Sequence, residues 1–278
     1  ADVGNQPYRA TDRGKSILYS AFTELPKHLD PVQSYTEDEA RFTQQVYEAP
    51  LQYHYLKRPY ELVPLTALEV PKPVEIEGGK YTVYTIRIRP GIRYQPHPAF
   101  VPENHGLASA RIARLETPYA LALGTRELTA DDYIYEIKRL ASPRLHSPVF
   151  GLMSEYIVGL QDFAERVKKF DKKKGEWLDL RKHRLEGVEK VDEHTYRIRI
   201  KGRYPQFAYW LAMPFFAPVP WEAEKFFHQP GMAERNYTLD WWPVGTGAYM
   251  LTENDPNSRM QLEKNPNFRG EAYPAEGE

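Results

Sequence analysis

The 278-residue sequence contains no cysteine, no long apolar run and no surplus of either charge. Without cysteine there can be no disulfide framework, no thiolate metal centre and no cysteine nucleophile. That absence assigns no compartment, although it suits an exported protein that avoids stray oxidation. No run of about 18 apolar residues occurs and the first twenty residues are polar, so the sequence as it stands shows neither a membrane span nor a signal peptide. An exported form would already have lost its signal. With 37 basic against 38 acidic residues, no bulk field draws the chain to nucleic acid or to an anionic membrane surface. No nucleic-acid partner is expected.

Catalytic signatures are missing as well. Pro243-Val244-Gly245-Thr246-Gly247-Ala248-Tyr249 sets two glycines about a threonine. It lacks the Lys-Ser/Thr ending of a phosphate loop and the third glycine of a dinucleotide turn. No Gly-x-Ser-x-Gly elbow occurs. The eight histidines, at 28, 54, 97, 105, 146, 183, 194 and 228, lack the i, i+4 spacing of a helical zinc pair. Each reads as a surface or packing histidine, and no metal or other cofactor is expected.

What the sequence does hold is proline and aromatic residues: 24 prolines stand beside 20 tyrosines, 12 phenylalanines and 5 tryptophans. Average proline usage is about 5%, and proline-rich disorder is poor in aromatics. The combination describes a folded, loop-rich protein with aromatic-lined surfaces.

From the N-terminus, Ala1 to Lys15 reads as an extended arm and Ser16 to Phe22 as a short β-prone strand running into a loop. Thr36-Glu37-Asp38-Glu39 is a capping box that opens a helix reaching toward Pro50. Leu51 to Tyr60 is β-like, and Tyr81 to Arg89 alternates apolar and polar positions as a strand with one buried face. Gly91 to Arg126 is irregular apart from a short helix near Ala108 to Leu115, which suggests an insertion or a binding loop. Thr129 caps a second helix, with Asp131 and Asp132 in its first turn and Tyr133, Ile134, Ile137 and Leu140 as its apolar stripe. Val149 to Phe163 is helical in part. The basic run from Lys168 to Lys174 reads as a solvated hairpin tip. Gly187 to Val191 and His194 to Ile200 pair across Asp192-Glu193, and Pro205 to Met213 and Glu222 to Phe227 form short helices. Ala248 to Leu251 and Met260 to Glu263 form a hairpin, followed by the Asn265-Pro266-Asn267 turn.

Seven of these landmarks, in order, resemble the family 5 extracellular solute-binding proteins, the peptide- and nickel-binding components of ABC importers. They are Leu29-Asp30-Pro31; Gln45-Val46-Tyr47-Glu48-Ala49-Pro50-Leu51; Leu62-Val63-Pro64 with Ala67; and Tyr81 to Gly91, similar to the family's YTFxLRxGVKF. Next come Leu128-Thr129-Ala130-Asp131-Asp132-Tyr133 with Lys138-Arg139; then Val244-Gly245-Thr246-Gly247-Ala248-Tyr249; then Asn265-Pro266-Asn267-Phe268-Arg269-Gly270. The departures are the intervening Gln95 to Arg126, Ala248 where the family usually has proline, and a length well short of typical members.

The resemblance implies a mixed α/β (α+β) fold, a type II periplasmic-binding-protein-like lobe with an inserted subdomain, the second lobe being missing from this chain. Residues 1–50 and 191–278 would form the lobe, ending at the hinge, with 51–190 inserted. A peptide would lie between the two lobes in an extended pose, paired largely through backbone. On this side the resemblance points to Phe22, Thr23 and Glu24 first, then to the aromatics Phe150, Tyr156, Trp241 and Trp242. It implies no catalysis, a monomer, a peptide or other small-molecule ligand, an ABC permease partner, and a periplasmic or membrane-anchored extracellular location. Residues 1–278 by themselves would bind ligand poorly. The alternatives left open are nickel chelates, oligosaccharides or opines as ligand, an enzyme with its site in loop 95–126, or a scaffold with no ligand.

Overall fold

The computed structural model describes residues 10–271 except 174 and 256. In chain order the helices and strands are α1 (Glu37–Val46), β1 (Leu51–Tyr53), β2 (Leu62–Pro64), β3 (Val74–Ile76), β4 (Tyr81–Arg87) and α2 (Ser109–Ile112). They continue with α3 (Ala130–Leu140), α4 (Phe150–Tyr156), α5 (Leu160–Phe170), β5 (Val188–Asp192), β6 (Thr195–Lys201), α6 (Phe207–Trp210), α7 (Trp221–Phe227), β7 (Tyr249–Asp255) and β8 (Arg259–Lys264). Of the N-terminal arm expected over 1–15, residues 1–9 lie outside the described residues.

Local chemistry accounts for most of these elements. At the start of α1 the Thr36 hydroxyl accepts from the Glu39 N–H at 3.3 Å while the Glu39 carboxylate accepts from the Thr36 N–H at 3.1 Å. At the start of α3 the Thr129 N–H donates to Asp132 at 3.1 Å. Tyr133, Ile134, Ile137 and Leu140 are buried, as the helical spacing requires.

The central sheet runs β3-β4-β6-β5, antiparallel throughout. Its inner face carries Tyr84, Ile86, Tyr196, Ile198 and Ile200, all at most 1% exposed. Tyr196 stacks on Tyr133 of α3 at 5.4 Å between ring centroids. The sheet joins β4 to β6 along seven residue pairs, so it runs across the boundary expected at 190/191. A second core gathers Ile112, Leu115 and Leu121 from the irregular segment with Val219, Phe226, Tyr237, Trp242 and Val244. Much of loop 95–126 therefore packs against α7 and the segment before β7.

Three expectations change. Ser16 to Phe22 has no regular secondary structure and pairs with no strand among the described residues, and Leu18 is 93% exposed. A β-prone run becomes a strand only when a neighbouring backbone supplies hydrogen bonds, and no described strand pairs with this one. Leu51 to Tyr60 contributes only the three residues of β1, paired to β2. The basic run begins on the last turn of α5, where Lys168 and Lys169 face the negative end of the helix dipole, so it is not the tip of a hairpin; Lys174 lies outside the described residues.

The glycines of Gly245-Thr246-Gly247 have a steric cause. A Cβ on Gly245 would sit 2.0 Å from the Val46 carbonyl oxygen, and one on Gly247 would sit 2.3 Å from that of Gln45. The two backbones touch because the Gly247 N–H donates to the Val46 carbonyl at 2.9 Å, just past the end of α1. Gly245→Ala is expected to cost about 1–3 kcal/mol or more in urea unfolding, with Gly106→Ala, where a Cβ meets nothing within 4 Å, as the neutral control.

The second core also predicts acid sensitivity. His97 is fully buried among Phe100, Tyr119, Phe226 and Phe227. Burial, with a smaller push from His105, drops its imidazole from 6.5 to about 3. The unfolded chain takes up a proton here that the native fold refuses, so stability falls as pH drops from 6.5 toward 3. A shallower decline of Tm over that interval in His97→Phe than in the wild type is the expected outcome.

Candidate ligand-binding site

Segment 21–28 lies along the start of α1. Phe22 is half-buried and meets Phe42 edge-on at 6.0 Å. The Thr23 hydroxyl and the Glu24 N–H both donate to Asp38 Oδ2, at 3.1 and 3.2 Å. Glu39 Oε1 accepts from the Lys27 and His28 N–H groups at 3.2 and 3.0 Å, while its Oε2 accepts from those of Tyr35 and Thr36. Burial raises the Glu39 carboxyl, but these four main-chain donors outweigh it and hold the group below its ordinary value.

The chain then turns at Leu29-Asp30-Pro31, where it is tied to the segment carrying the two tryptophans. The Leu29 N–H donates to the Asp240 carbonyl at 3.1 Å and the Asp30 N–H to Asp240 Oδ1 at 3.1 Å. His28 Nδ1 lies 2.7 Å from Asp240 Oδ2. Trp241 is half-buried, and Trp242 is buried between Tyr119 and Tyr237. Residues 28–30 and the segment carrying Trp241-Trp242 are thus joined through one hydrogen-bonded junction, four residues beyond Glu24. Phe150 and Tyr156 pack instead on the core of the four-stranded sheet, with Tyr156 stacked on Tyr204 at 4.2 Å. No ring contact or hydrogen bond links either of them to 22–24 among the described residues.

Beneath the junction sits Arg139, 1% exposed. Its guanidinium donates to both Asp30 oxygens at 2.8 and 2.6 Å, to Glu224 at 2.6 Å and to Glu136 at 3.1 Å. Three carboxyls around one cation leave an excess of negative charge in a dry site. It is relieved at Glu136, whose carboxyl burial pushes well above the ordinary range; Arg139 opposes that rise and Asp30 adds to it. Burial and Asp30 thus favour the protonated form of Glu136, against the pull of Arg139. Glu224 is also bound by the Tyr135 hydroxyl and the Trp177 indole N–H.

The Gly-Thr-Gly segment forms a second tie. Thr246 donates to Glu48 at 2.8 Å, and Arg269 forks onto both Glu48 oxygens at 2.7 and 2.9 Å. Asn265 and Asn267 donate to the Gly247 and Tyr94 carbonyls, both at 2.9 Å. The motif that opened as a nucleotide-loop question is a backbone clasp, with no open phosphate cradle.

Within loop 95–126, His97 lies in its aromatic box, and Arg126 bridges Asp132 and Glu222, both outside the loop, at 2.6 and 2.8 Å. Among the described residues no three His, Asp or Glu side chains are placed to hold a metal ion.

Asp38, Glu39, Asp240 and Arg139 as partners of the loop are absent from the sequence-based candidates. Asp38 and Glu39 were visible only as helix-start charges, and nothing local signals that Asp240 meets His28 across the chain.

Removing the buried cation tests this arrangement. Arg139→Leu strands the Asp30 and Glu224 carboxylates and is expected to cost about 3–5 kcal/mol in chemical unfolding. Glu136→Gln should be tolerated. The native state keeps a proton at Glu136 that the unfolded chain releases above 4.5. This group's contribution therefore declines as pH rises past that value toward the raised native one. Glu136→Gln should flatten that part of the Tm against pH curve, and an unchanged slope would show that Glu136 is ionised in the fold.

Comparison with known proteins agrees with this architecture. Residues 79–276 match the middle region of the bacterial extracellular solute-binding proteins, family 5. The periplasmic oligopeptide-binding protein OppA of Salmonella typhimurium is 30% identical over 142 residues, 51% of this chain and 23% of OppA. The di/tripeptide-binding protein 2 of Pseudomonas aeruginosa is 24% identical over 187 residues, 67% of this chain and 27% of that protein. The chain thus spans about a quarter of the length of these curated relatives. Among solved structures, the periplasmic binding protein DppA of Helicobacter pylori in complex with the peptide STSA superposes with a TM-score of 0.56 at 19% identity. That match covers 88% of this chain and 38% of DppA. The murein tripeptide-binding protein MppA of Escherichia coli gives 0.56 at 21%, covering 89% and 38%. The fold is that of a type II periplasmic-binding-protein lobe, mixed α/β, and no described helix is long and apolar enough to cross a membrane. The chain belongs to the bacterial extracellular solute-binding proteins, family 5.

Proposed function

We propose that the chain is the ligand-gripping lobe of a substrate-binding protein that captures oligopeptides or similar small solutes and delivers them to the permease of an ABC importer. The observation that carries the reading is the segment Phe22-Thr23-Glu24. It is irregular, with bends at Thr23 and Glu24 whose side chains are exposed, tied to Asp38 through the Thr23 hydroxyl and the Glu24 N–H, while no hydrogen bond engages the main-chain groups of Phe22 or Thr23 among the described residues. An extended peptide is recognised mainly by main-chain pairing, with pockets for alternate side chains. Trp241, whose neighbour Asp240 holds residues 28–30 of the same loop, supplies aromatic surface for such a pocket. Phe150 and Tyr156 are ligand contacts of second rank in this reading, because Tyr156 is already stacked on Tyr204.

The relatives' names, oligopeptide-binding and di/tripeptide-binding, support peptide over nickel chelate, oligosaccharide or opine. They support binding over catalysis as well. The lobe is proposed to comprise residues 1–50 and the part after β6, with the sheet-bearing part inserted between. The second boundary is proposed near Gly202, which keeps β4 and β6 in one unit. The protein is proposed to work as a monomer without cofactor in the periplasm, or anchored outside the membrane, and to close on its ligand by hinge motion.

The test is thermal shift and calorimetry on the full-length natural protein with random tri- to pentapeptides, nickel chelates, oligosaccharides and opines. Peptide binding that raises Tm is the expected result. A strong shift with a chelate, sugar or opine and none with any peptide would overturn the peptide assignment, and turnover of a tested compound would overturn the binding-protein reading.

A further inference from the structure

The charge of the chain is balanced as a whole but not locally. From Glu165 to Arg184, Lys174 set aside, eight lysines and arginines stand against four acids. Three of those acids are engaged: Asp171 with Arg144 at 2.6 Å, Glu176 with Lys173 at 3.0 Å and Asp179 with Arg181 at 2.9 Å. Lys168, Lys169, Lys172 and Lys182 are exposed, and their side chains make no ion pair or hydrogen bond among the described residues. Four cations are left without a fixed partner.

The fold brings the two ends of this stretch together. α5 ends at Phe170, whose ring meets that of His183 at 5.1 Å between centroids. Arg166 of the same helix donates to the Arg184 carbonyl. Arg144 fixes the loop between the two ends, donating to the Lys173 and Glu176 carbonyls at 3.0 and 2.7 Å as well as to Asp171. The positive surroundings register at His183: burial, then Arg166 and Lys138, push its imidazole below the ordinary value. Phe170, between Lys169 and Lys172 in sequence, is 63% exposed.

The bland account is a solvated face that also complements the negative end of α5. It covers Lys168 and Lys169 in the last turn of that helix, but not Lys172 and Lys182, which lie outside it. A lone exposed phenylalanine is ordinary. One set among unpaired lysines has the make-up of an interfacial anchor, in which an aromatic ring enters the headgroup layer and cations meet lipid phosphates. An acidic protein partner fits less well. Guanidinium forks suit fixed carboxylates, and Arg144, Arg166 and Arg181 are already bonded within the chain. What is left free is lysine, a point charge on a flexible stem, which suits a field of mobile headgroups.

We propose that the end of α5 and the turn beside it form a docking surface for an anionic phospholipid bilayer. Phe170 enters the interface, and Lys168, Lys169, Lys172 and Lys182 lie against the headgroup phosphates. The near-zero net charge of the chain does not oppose this, because at physiological salt exposed charges more than about 8 Å away are largely screened. The docking is independent of what the candidate site binds. It confines the lobe to the surface that holds the proposed permease.

The experiment is co-sedimentation of the full-length polypeptide with vesicles of equimolar phosphatidylglycerol and phosphatidylethanolamine, and with vesicles of phosphatidylcholine alone. Binding to the anionic vesicles only, lost at about 0.5 M salt, is expected. The combined variant Lys168→Gln, Lys169→Gln, Lys172→Gln should bind about a hundredfold more weakly, at about fivefold for each cation near the surface. Lys72→Gln, Lys201→Gln and Lys264→Gln together make the same charge change at exposed positions elsewhere and should bind as the wild type does. Phe170→Ser should weaken vesicle binding about tenfold. Equal losses in the two triple variants would reveal a net-charge effect and overturn the docking surface. Vesicle binding unchanged in Phe170→Ser would overturn it too, as would equal binding to phosphatidylcholine. Binding to polyglutamate with none to anionic vesicles is the acidic-protein outcome and would replace it.

Discussion

Much of the architecture converges on one guanidinium. Arg139 comes from α3, its partners Asp30 and Glu224 from the N-terminal loop and α7, and Glu136 from its own helix. A cation removed from water must be met by fixed acceptors, or the site does not form. Meeting it here forces a distant loop and two helices into register. Asp30 then hands the constraint on, because its own N–H and that of Leu29 hold Asp240, and Asp240 places Trp241 and Trp242.

The Gly-Thr-Gly clasp follows the same logic without charge burial at its centre. Two glycines let one backbone lie against the carbonyls that end α1, and Glu48, Thr246 and Arg269 close the contact from the sides. The clasp holds the C-terminal end of α1, while Arg139 holds Asp30 in the loop that leads into it. That helix is also the one whose first turns grip segment 21–28, so whatever stiffens α1 stiffens that segment.

Local rules made some of this legible in advance. The capping box at Thr36, the stripe of α3, the β5–β6 hairpin and the β7–β8 hairpin each depend on neighbours within a few residues, and each is present. The strand expected over 16–22 failed because pairing is a property of two segments, and a β-prone run does not report whether its partner is there. The basic run was misplaced because a helix C-terminus and a hairpin tip both favour lysine. At the candidate site the segment Phe22-Thr23-Glu24 entered through family resemblance, whereas Asp38 and Glu39 passed as ordinary helix-start acids. Their second role depends on how the chain folds back, which periodicity does not encode. Asp240 meets His28 across 212 positions and could not have been found locally.

Glu39 separates two events in time. Its bonds to Lys27 and His28 span only 12 and 11 positions, a loop that closes in about 10–100 ns and needs little beyond a nascent helix. The Arg139 tie to Asp30 spans 109 positions, and such non-local closure comes late because its entropy must be met before the contact rewards it. The curve of segment 21–28 is thus a local product of its own stretch of chain, shaped before the rest of the molecule assembles, whereas its orientation toward the tryptophans waits for the long-range fold. Folding intermediates of this lobe should therefore already hold the loop before α1 in its native curve while its far contact with Asp240 is still unmade.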